Sequence, residues 1–239
     1  MKIFIITGVS KGLGNALARE LSGKDSFLFL IARRDVKSLI KKIKGSGGDA
    51  RGLICDLARL KQLERLMDRV FLKIKFKKIS SITLINNAGI INPIAFAGSF
   101  LTKSAIMNLN VNCIAPLILS HLFIKKMRKF KAKKIIVNIS SGAARKPFEG
   151  WSLYCSAKSA VEMFTKVVTN EQARYKNGVR IFSVDPGAID TNMQFQIRNK
   201  SRKDFPCVKK FIDLKKTKAL KTPEAVAGEI HAFINDKLK

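Results

Sequence analysis

The chain has 239 residues, with 46 Lys+Arg against 17 Asp+Glu and 46% apolar side chains. Nearly half of it can be buried and only 15 Gly and 6 Pro occur, which excludes disordered and collagenous classes. Folded as one unit, a chain of this length buries roughly 70–75% of its unfolded surface and needs no staple. Cys55, Cys113, Cys155 and Cys207 lie far apart with no CxxC pair, so reduced thiols are expected and neither a disulfide framework nor a metal site is indicated. The apolar start, Ile3 to Ile6, meets Gly8 and Lys11 too early for a signal peptide. No apolar run reaches the length needed to span a bilayer. A soluble, cytoplasmic protein with no membrane partner is expected.

The formal charge of +29 first suggests a nucleic-acid or anionic-membrane partner. The excess is spread evenly, 20 basic against 7 acidic residues in 1–120 and 26 against 10 in 121–239, without a basic tail. No acid lies between Asp68 and Glu149, while Lys and Arg recur over 73–78 and 125–134, so this stretch is the candidate basic face. Solvated helix faces filled with lysine are the plainer reading, and nucleic acid is an alternative partner.

Apolar runs alternate with helix-period segments, the pattern of repeated βαβ units around a parallel sheet covered on both faces. The spacing predicts a first strand at 2–7 and a helix at 12–22, joined by Thr7-Gly8-Val9-Ser10-Lys11-Gly12-Leu13-Gly14. Glycines there permit a tight turn and close approach of backbone to a pyrophosphate at the helix N-terminus. Gly8, Ser10, Lys11, Gly12, Leu13 and Gly14 are therefore candidate cofactor residues. A strand at 26–32 follows and ends at Arg33-Arg34, where a dinucleotide fold otherwise places an acid for the NAD ribose. Arg33 presents a planar fork to a 2′-phosphate, and Lys11 approaches the same group, so NADP(H) is favoured over NAD.

After a helix at 35–45, a strand at 50–55 closes on Asp56-Leu57, where the carboxylate either accepts from an adenine amino group or caps the helix at 59–73. A strand at 82–86 ends in Asn86-Asn87-Ala88-Gly89, and a long helix at 103–130 precedes a strand at 133–140 ending in Ser140-Ser141-Gly142. The next helix, 152–176, opens with Tyr154 and Lys158, four apart and so on one face. A sixth strand at 178–184 leads to Asp185-Pro186-Gly187, then to a polar and basic connection over 187–221, expected to be a lid or binding loop. Thr222-Pro223-Glu224 opens a last helix at 222–236. The result is one Rossmann-type domain over 1–239, with about six parallel strands and helices on both faces.

The Thr-Gly-x-x-x-Gly-x-Gly turn, the Asn-Asn-Ala-Gly block, the Ser, the Tyr-x-x-x-Lys pair and the Pro-Gly with Thr191 beyond it resemble the short-chain dehydrogenase/reductase family over nearly the whole chain. Pro147-Phe148-Glu149-Gly150-Trp151 and Asp190-Thr191-Asn192-Met193-Gln194 are most similar to the sepiapterin reductase branch and its bacterial benzil-reducing relatives. The resemblance implies an NADPH-dependent carbonyl reductase acting on a small ketone or vicinal diketone. In it, Tyr154 is the proton donor, Lys158 steadies the tyrosine anion and grips the nicotinamide ribose, and Ser141 polarises the carbonyl oxygen. Ser140 is the alternative, since neighbours on a strand face opposite ways.

Asn87, Ala88 and Gly89 would line the cofactor, and Pro186, Gly187, Ile189 and Thr191 would hold its carboxamide. Of Asn108, Asn110 and Asn112, the family spacing selects Asn112 for a proton-relay water. Relatives continue past the last helix into a further strand, and sepiapterin reductases carry an acidic pterin anchor there. This sequence stops at Lys239, so neither is expected, and a homodimer through the helices at 103–130 and 152–176 is favoured over a tetramer. A silent NADP sensor on the same fold is the remaining rival.

Overall fold

The computed structural model describes residues 1–74 and 79–239; the basic run expected at 73–78 lies mostly outside them. The strands are β1 (Lys2–Thr7), β2 (Ser26–Ala32), β3 (Asp49–Ile54), β4 (Ser81–Asn86), β5 (Lys133–Ile139) and β6 (Arg180–Val184). They form one parallel sheet in the order β3-β2-β1-β4-β5-β6, in which Ile5 lies between Phe29 of β2 and Leu84 of β4. The near-continuous apolar strands follow from burial on both sheet faces. Ile3, Ile5, Phe29 and Ile31 face one core, against α3 (Leu63–Phe71), α5 (Ala115–Met127) and α6 (Ser152–Ala173). Phe4, Ile6, Leu28 and Leu30 face the other, against α1 (Gly12–Glu20), α2 (Lys37–Gly45) and α9 (Pro223–Lys237). Each such side chain, fully buried, contributes about 1.5–3 kcal/mol.

The strand order reverses between β1 and β4, which opens a crevice at the carboxyl ends of the strands. α9 starts where the sequence indicates: the Thr222 hydroxyl accepts from the Ala225 N–H at 3.1 Å and Pro223 takes the first helical position.

Three expectations are corrected. The segment 187–221 is not an irregular connection: it holds α7 (Asn192–Arg198) and α8 (Val208–Lys216). Their lysines and arginines mask a third apolar cluster in which Ile197, Phe205, Val208 and Phe211 pack on Trp151. Second, α4 (Thr102–Leu109), a π turn (Asn110–Ile114) and α5 form one helix, Thr102–Met127, in which an 18-residue stretch has mean hydropathy 1.4, so that it is long and apolar enough to cross a bilayer. Just over half of that stretch is buried, with Ala115, Leu119 and Phe123 completely so, while Ile106 and Met107 are exposed. Third, the basic face at 125–134 is partly paired within the chain, and one of its lysines, Lys134, is buried. The Lys126 ammonium pairs with Asp68 at 2.5 Å, and buried Lys134 donates to the carbonyls of Phe130 and Asn177 at 2.7 and 2.5 Å.

Candidate active site

A cleft of about 460 Å³ runs along the carboxyl ends of the strands. Its nucleotide end is built by close approach. A Cβ on Gly8 (φ +75°) would stand 2.7 Å from the Ala88 Cα, and one on Gly14 would stand 2.3 Å from the Gly8 carbonyl oxygen. No other residue fits either position. Asn87 donates through Nδ2 to the Thr7 carbonyl at 2.8 Å, and the Thr7 hydroxyl accepts from the Asn87 and Ala88 N–H groups at 3.0 and 3.1 Å. Ser10, Lys11, Gly12, Leu13, Asn87, Ala88 and Gly89 all line the cleft, as do Leu57 and Asp56. The Asp56 carboxylate accepts from the Ala58 N–H at 3.1 Å, so it also caps its own turn.

Arg33 lines the mouth of the same end. Arg34, also a candidate cofactor residue, is not among the residues lining the cleft, since successive residues leaving a strand point to opposite sides. The cradle fits a dinucleotide: two glycines that admit only backbone, a helix N-terminus beneath them, and two cations, Arg33 and Lys11, in its lining.

Midway along, β5 and α6 bring Ser141, Tyr154 and Lys158 to the cleft. Both serines line it, but the Ser140 hydroxyl donates to Glu162 at 2.7 Å, which leaves Ser141 as the hydroxyl beside the phenol. Burial pushes the Tyr154 pKa up to about 12, opposed by the Ser141 hydrogen bond and reinforced by the nearby Asp185 charge. Burial also pulls Lys158 down to about 8. Lys158 lies beside Tyr154, as expected, without a hydrogen bond to its hydroxyl. Its ammonium donates to the Ile139 carbonyl at 2.8 Å and stands 5.7 Å from the Tyr154 ring centroid.

Asn112 is not among the residues lining the cleft but lies behind Gly89 and Ile90, which are. Its amide donates to the Ile90 carbonyl at 2.7 Å and to Asn108 at 2.9 Å, and its oxygen accepts from the Ile90 N–H at 2.9 Å. The side chain is thus spent on fastening the chain after β4 to the π turn. Asn110 turns elsewhere and donates to Ala58.

Past β6, Asp185 accepts from the Gly187 N–H at 3.0 Å and closes the turn that carries Pro186 and Gly187. These two, Ile189 and Thr191 line the cleft, and Gly187, at φ +72°, has open space where a Cβ would be. The far end is apolar, with Ile91, Phe148, Trp151, Met193 and Phe211 in its wall. Trp151 is stacked on Phe205 with centroids 4.7 Å apart. Phe211, Lys210 and Leu214 come from α8 and were missed in the sequence; the i, i+3 pair Val208 and Phe211 was the available signal.

Fold and cleft together define a Rossmann-type oxidoreductase. A family model described as short chain dehydrogenase matches residues 2–202, and the chain belongs to that family. It is 38% identical over 234 residues to a benzil reductase ((S)-benzoin forming) of Bacillus cereus, covering 98% of this chain and 94% of that one. It is 31% identical over 213 residues to sepiapterin reductase of Rattus norvegicus, covering 83% and 78%. Among solved structures, the KRED1-Pglu enzyme superposes with a TM-score of 0.81 at 29% identity, covering 97% of this chain and 94% of that one.

Proposed function

We propose that the protein is an NADPH-dependent carbonyl reductase whose substrate is a small ketone or vicinal diketone with an apolar, aryl-like body. The observation that carries this reading is the position of Ser141, Tyr154 and Lys158 between two unlike ends of one cleft: glycines and Arg33 on one side, Phe148, Trp151 and Phe211 on the other. Bound NADPH would supply the hydride. The chain supplies the rest. Ser141 donates its hydroxyl to the carbonyl oxygen and holds it beside Tyr154. Tyr154, protonated across the physiological range, gives its proton to that oxygen as charge develops there. Lys158 moves from the Ile139 carbonyl toward the phenol and the ribose hydroxyls and steadies the phenolate. The 187–221 segment, through α7 and α8, closes over the substrate and excludes water.

The relatives that reduce benzil and sepiapterin support the substrate class, as does the aromatic wall. A homodimer in the cytoplasm completes the reading, with exposed Met163 and Val167, one turn apart on α6, as the apolar stripe to be covered; sedimentation at two concentrations tests it.

NADPH oxidation followed by absorbance, with benzil, a smaller vicinal diketone and sepiapterin, tests the activity. Turnover of a diketone is expected with NADPH and much less with NADH. Tyr154→Phe should lower kcat by about 10²–10⁴-fold with NADPH binding retained. Absence of oxidation with every carbonyl, in protein that binds NADPH, overturns the reductase assignment.

A further inference from the structure

Four side chains outside the Ser-Tyr-Lys set form a continuous polar chain along one wall of the cleft. Ser140, at the end of β5, donates to Glu162 on α6 at 2.7 Å. Arg145, three residues past Gly142, donates through one nitrogen to the same Glu162 oxygen at 2.5 Å and through the other to Asp185 at 2.7 Å. Asp185 uses its other oxygen to accept from Gly187. The same loop is fastened again by Ser159, which donates to the Ala144 carbonyl at 2.7 Å, and by the Ser140 N–H bond to the Val184 carbonyl at 2.8 Å.

Three segments that must keep register therefore meet at one guanidinium: the loop carrying Ser141, the helix carrying Tyr154 and Lys158, and the turn carrying Pro186 and Gly187. Arg145 itself does not line the cleft, whereas Asp185 does. The Glu162 side chain is only 12% exposed and that of Asp185 27%, so both carboxylates are substantially removed from water, and Arg145 is the one cation paired with either among the described residues. Uncompensated, Asp185 would place a negative charge on the cleft wall, next to a turn that receives an anionic cofactor.

We infer that Arg145 is a positioning residue that locks the Pro186–Gly187 turn onto the catalytic loop and cancels the Asp185 charge facing the cofactor. It touches neither the cofactor nor the reacting atoms. A planar two-armed guanidinium is required, because both carboxylates are engaged at once; a lysine ammonium reaches one at a time.

The inference rests on the cofactor reading above, and charge rescue separates the two. Asp185→Asn keeps an oxygen to accept from Gly187 and removes only the charge. Wild type, Arg145→Met, Arg145→Lys and Arg145→Met/Asp185→Asn are compared for NADPH affinity by nucleotide fluorescence and for kcat and KM with a diketone, with melting curves confirming folded protein. Arg145→Met should weaken NADPH binding about tenfold and raise its KM, with kcat at saturating cofactor changed less than threefold. The double variant should recover most of the affinity, and Arg145→Lys should fall between.

Equal affinities in wild type and Arg145→Met overturn the inference, as does a double variant no better than the single one. If Arg145→Met does not fold, the lock stands or falls on Arg145→Lys against Arg145→Lys/Asp185→Asn, where the same recovery is required. Failure of wild type to bind NADPH overturns the cofactor reading first and the inference with it; binding without turnover overturns only the reductase reading.

Discussion

The Lys158 ammonium and the Tyr154 phenol share a helix face but not a hydrogen bond: the lysine is held at 2.8 Å by the Ile139 carbonyl, with 5.7 Å between its nitrogen and the tyrosine ring centroid. Burial, the same cause, moves the two groups in opposite directions, the phenol up to about 12 and the lysine down to about 8. The phenol therefore keeps its proton at all working pH values, and the lysine is the group that titrates.

For reduction, kcat/KM should fall about tenfold per unit above pH about 8, as Lys158 loses the charge that steadies the phenolate. Lys158→Arg, which stays charged, should remove this alkaline limb; a limb that persists there assigns it to another group. The stability sign is opposite. Unfolded lysine holds its proton to about 10.5, so from about 8 to 10.5 the unfolded chain binds more protons and this site's contribution to stability rises with pH. Lys158→Met should flatten that rise in denaturant midpoints.

In the function proposed above, Arg33 sets the choice of cofactor. Charge-assisted bonds from a guanidinium to a phosphate are worth about 1.5–3 kcal/mol, so Arg33→Ala should raise the KM for NADPH about tenfold to a hundredfold. The KM for NADH should stay within about twofold. Arg34→Ala, outside the cleft, should alter the NADPH value much less. Initial rates at varied cofactor decide it.

Lys210 is the one charged side chain in the wall at the substrate end, resting 5.7 Å from the Phe148 ring centroid without a carboxylate partner among the described residues. An anionic aryl ketone such as phenylglyoxylate should be bound better by wild type than by Lys210→Gln, by about threefold to fivefold in KM, the upper range of an exposed ion pair. A neutral diketone should show no difference, and equal shifts for both compounds would assign Lys210 to packing alone.

Phe205 is completely buried and stacked on Trp151, the single tryptophan of the chain. Phe205→Ala should cost about 3–5 kcal/mol and open the third apolar cluster. Tryptophan emission should shift to the red as Trp151 gains water, and denaturant unfolding should report the loss of stability. Unchanged emission would show that α8 repacks over the gap.

All six strands were legible to within two residues, because strands buried on both faces leave unbroken runs such as Phe27 to Ala32. The glycine turn was legible from its place between the first strand and first helix, and the Ser-Tyr-Lys set from the company of the other motifs and their resemblance to the family. Direction was harder to read. Arg33 and Arg34 are chemically identical, and only the twist of the chain leaving β2 separates them. Ser140 and Ser141 were separated by a partner 22 positions away, Glu162. Asn112 was singled out by its resemblance to the family spacing, whereas its hydrogen bonds to Ile90 cannot be read from spacing. α8 was hidden because its apolar residues, Val208, Phe211, Ile212 and Leu214, are interleaved with lysines, and Arg145 stood in a loop whose partners lie 17 and 40 positions further on.

The stitch between Thr7 and Asn87 spans 80 positions of chain. Before β4 docks on β1, the glycine motif has its amino acids in order but neither the floor against which Gly8 is pressed nor the amide that fixes its carbonyl neighbours. A nascent chain with only β1, β2 and β3 formed would thus display the motif and hold no nucleotide with it. Recognition belongs to the closed topology, and it arrives late, with the longest-range contact in the centre of the sheet.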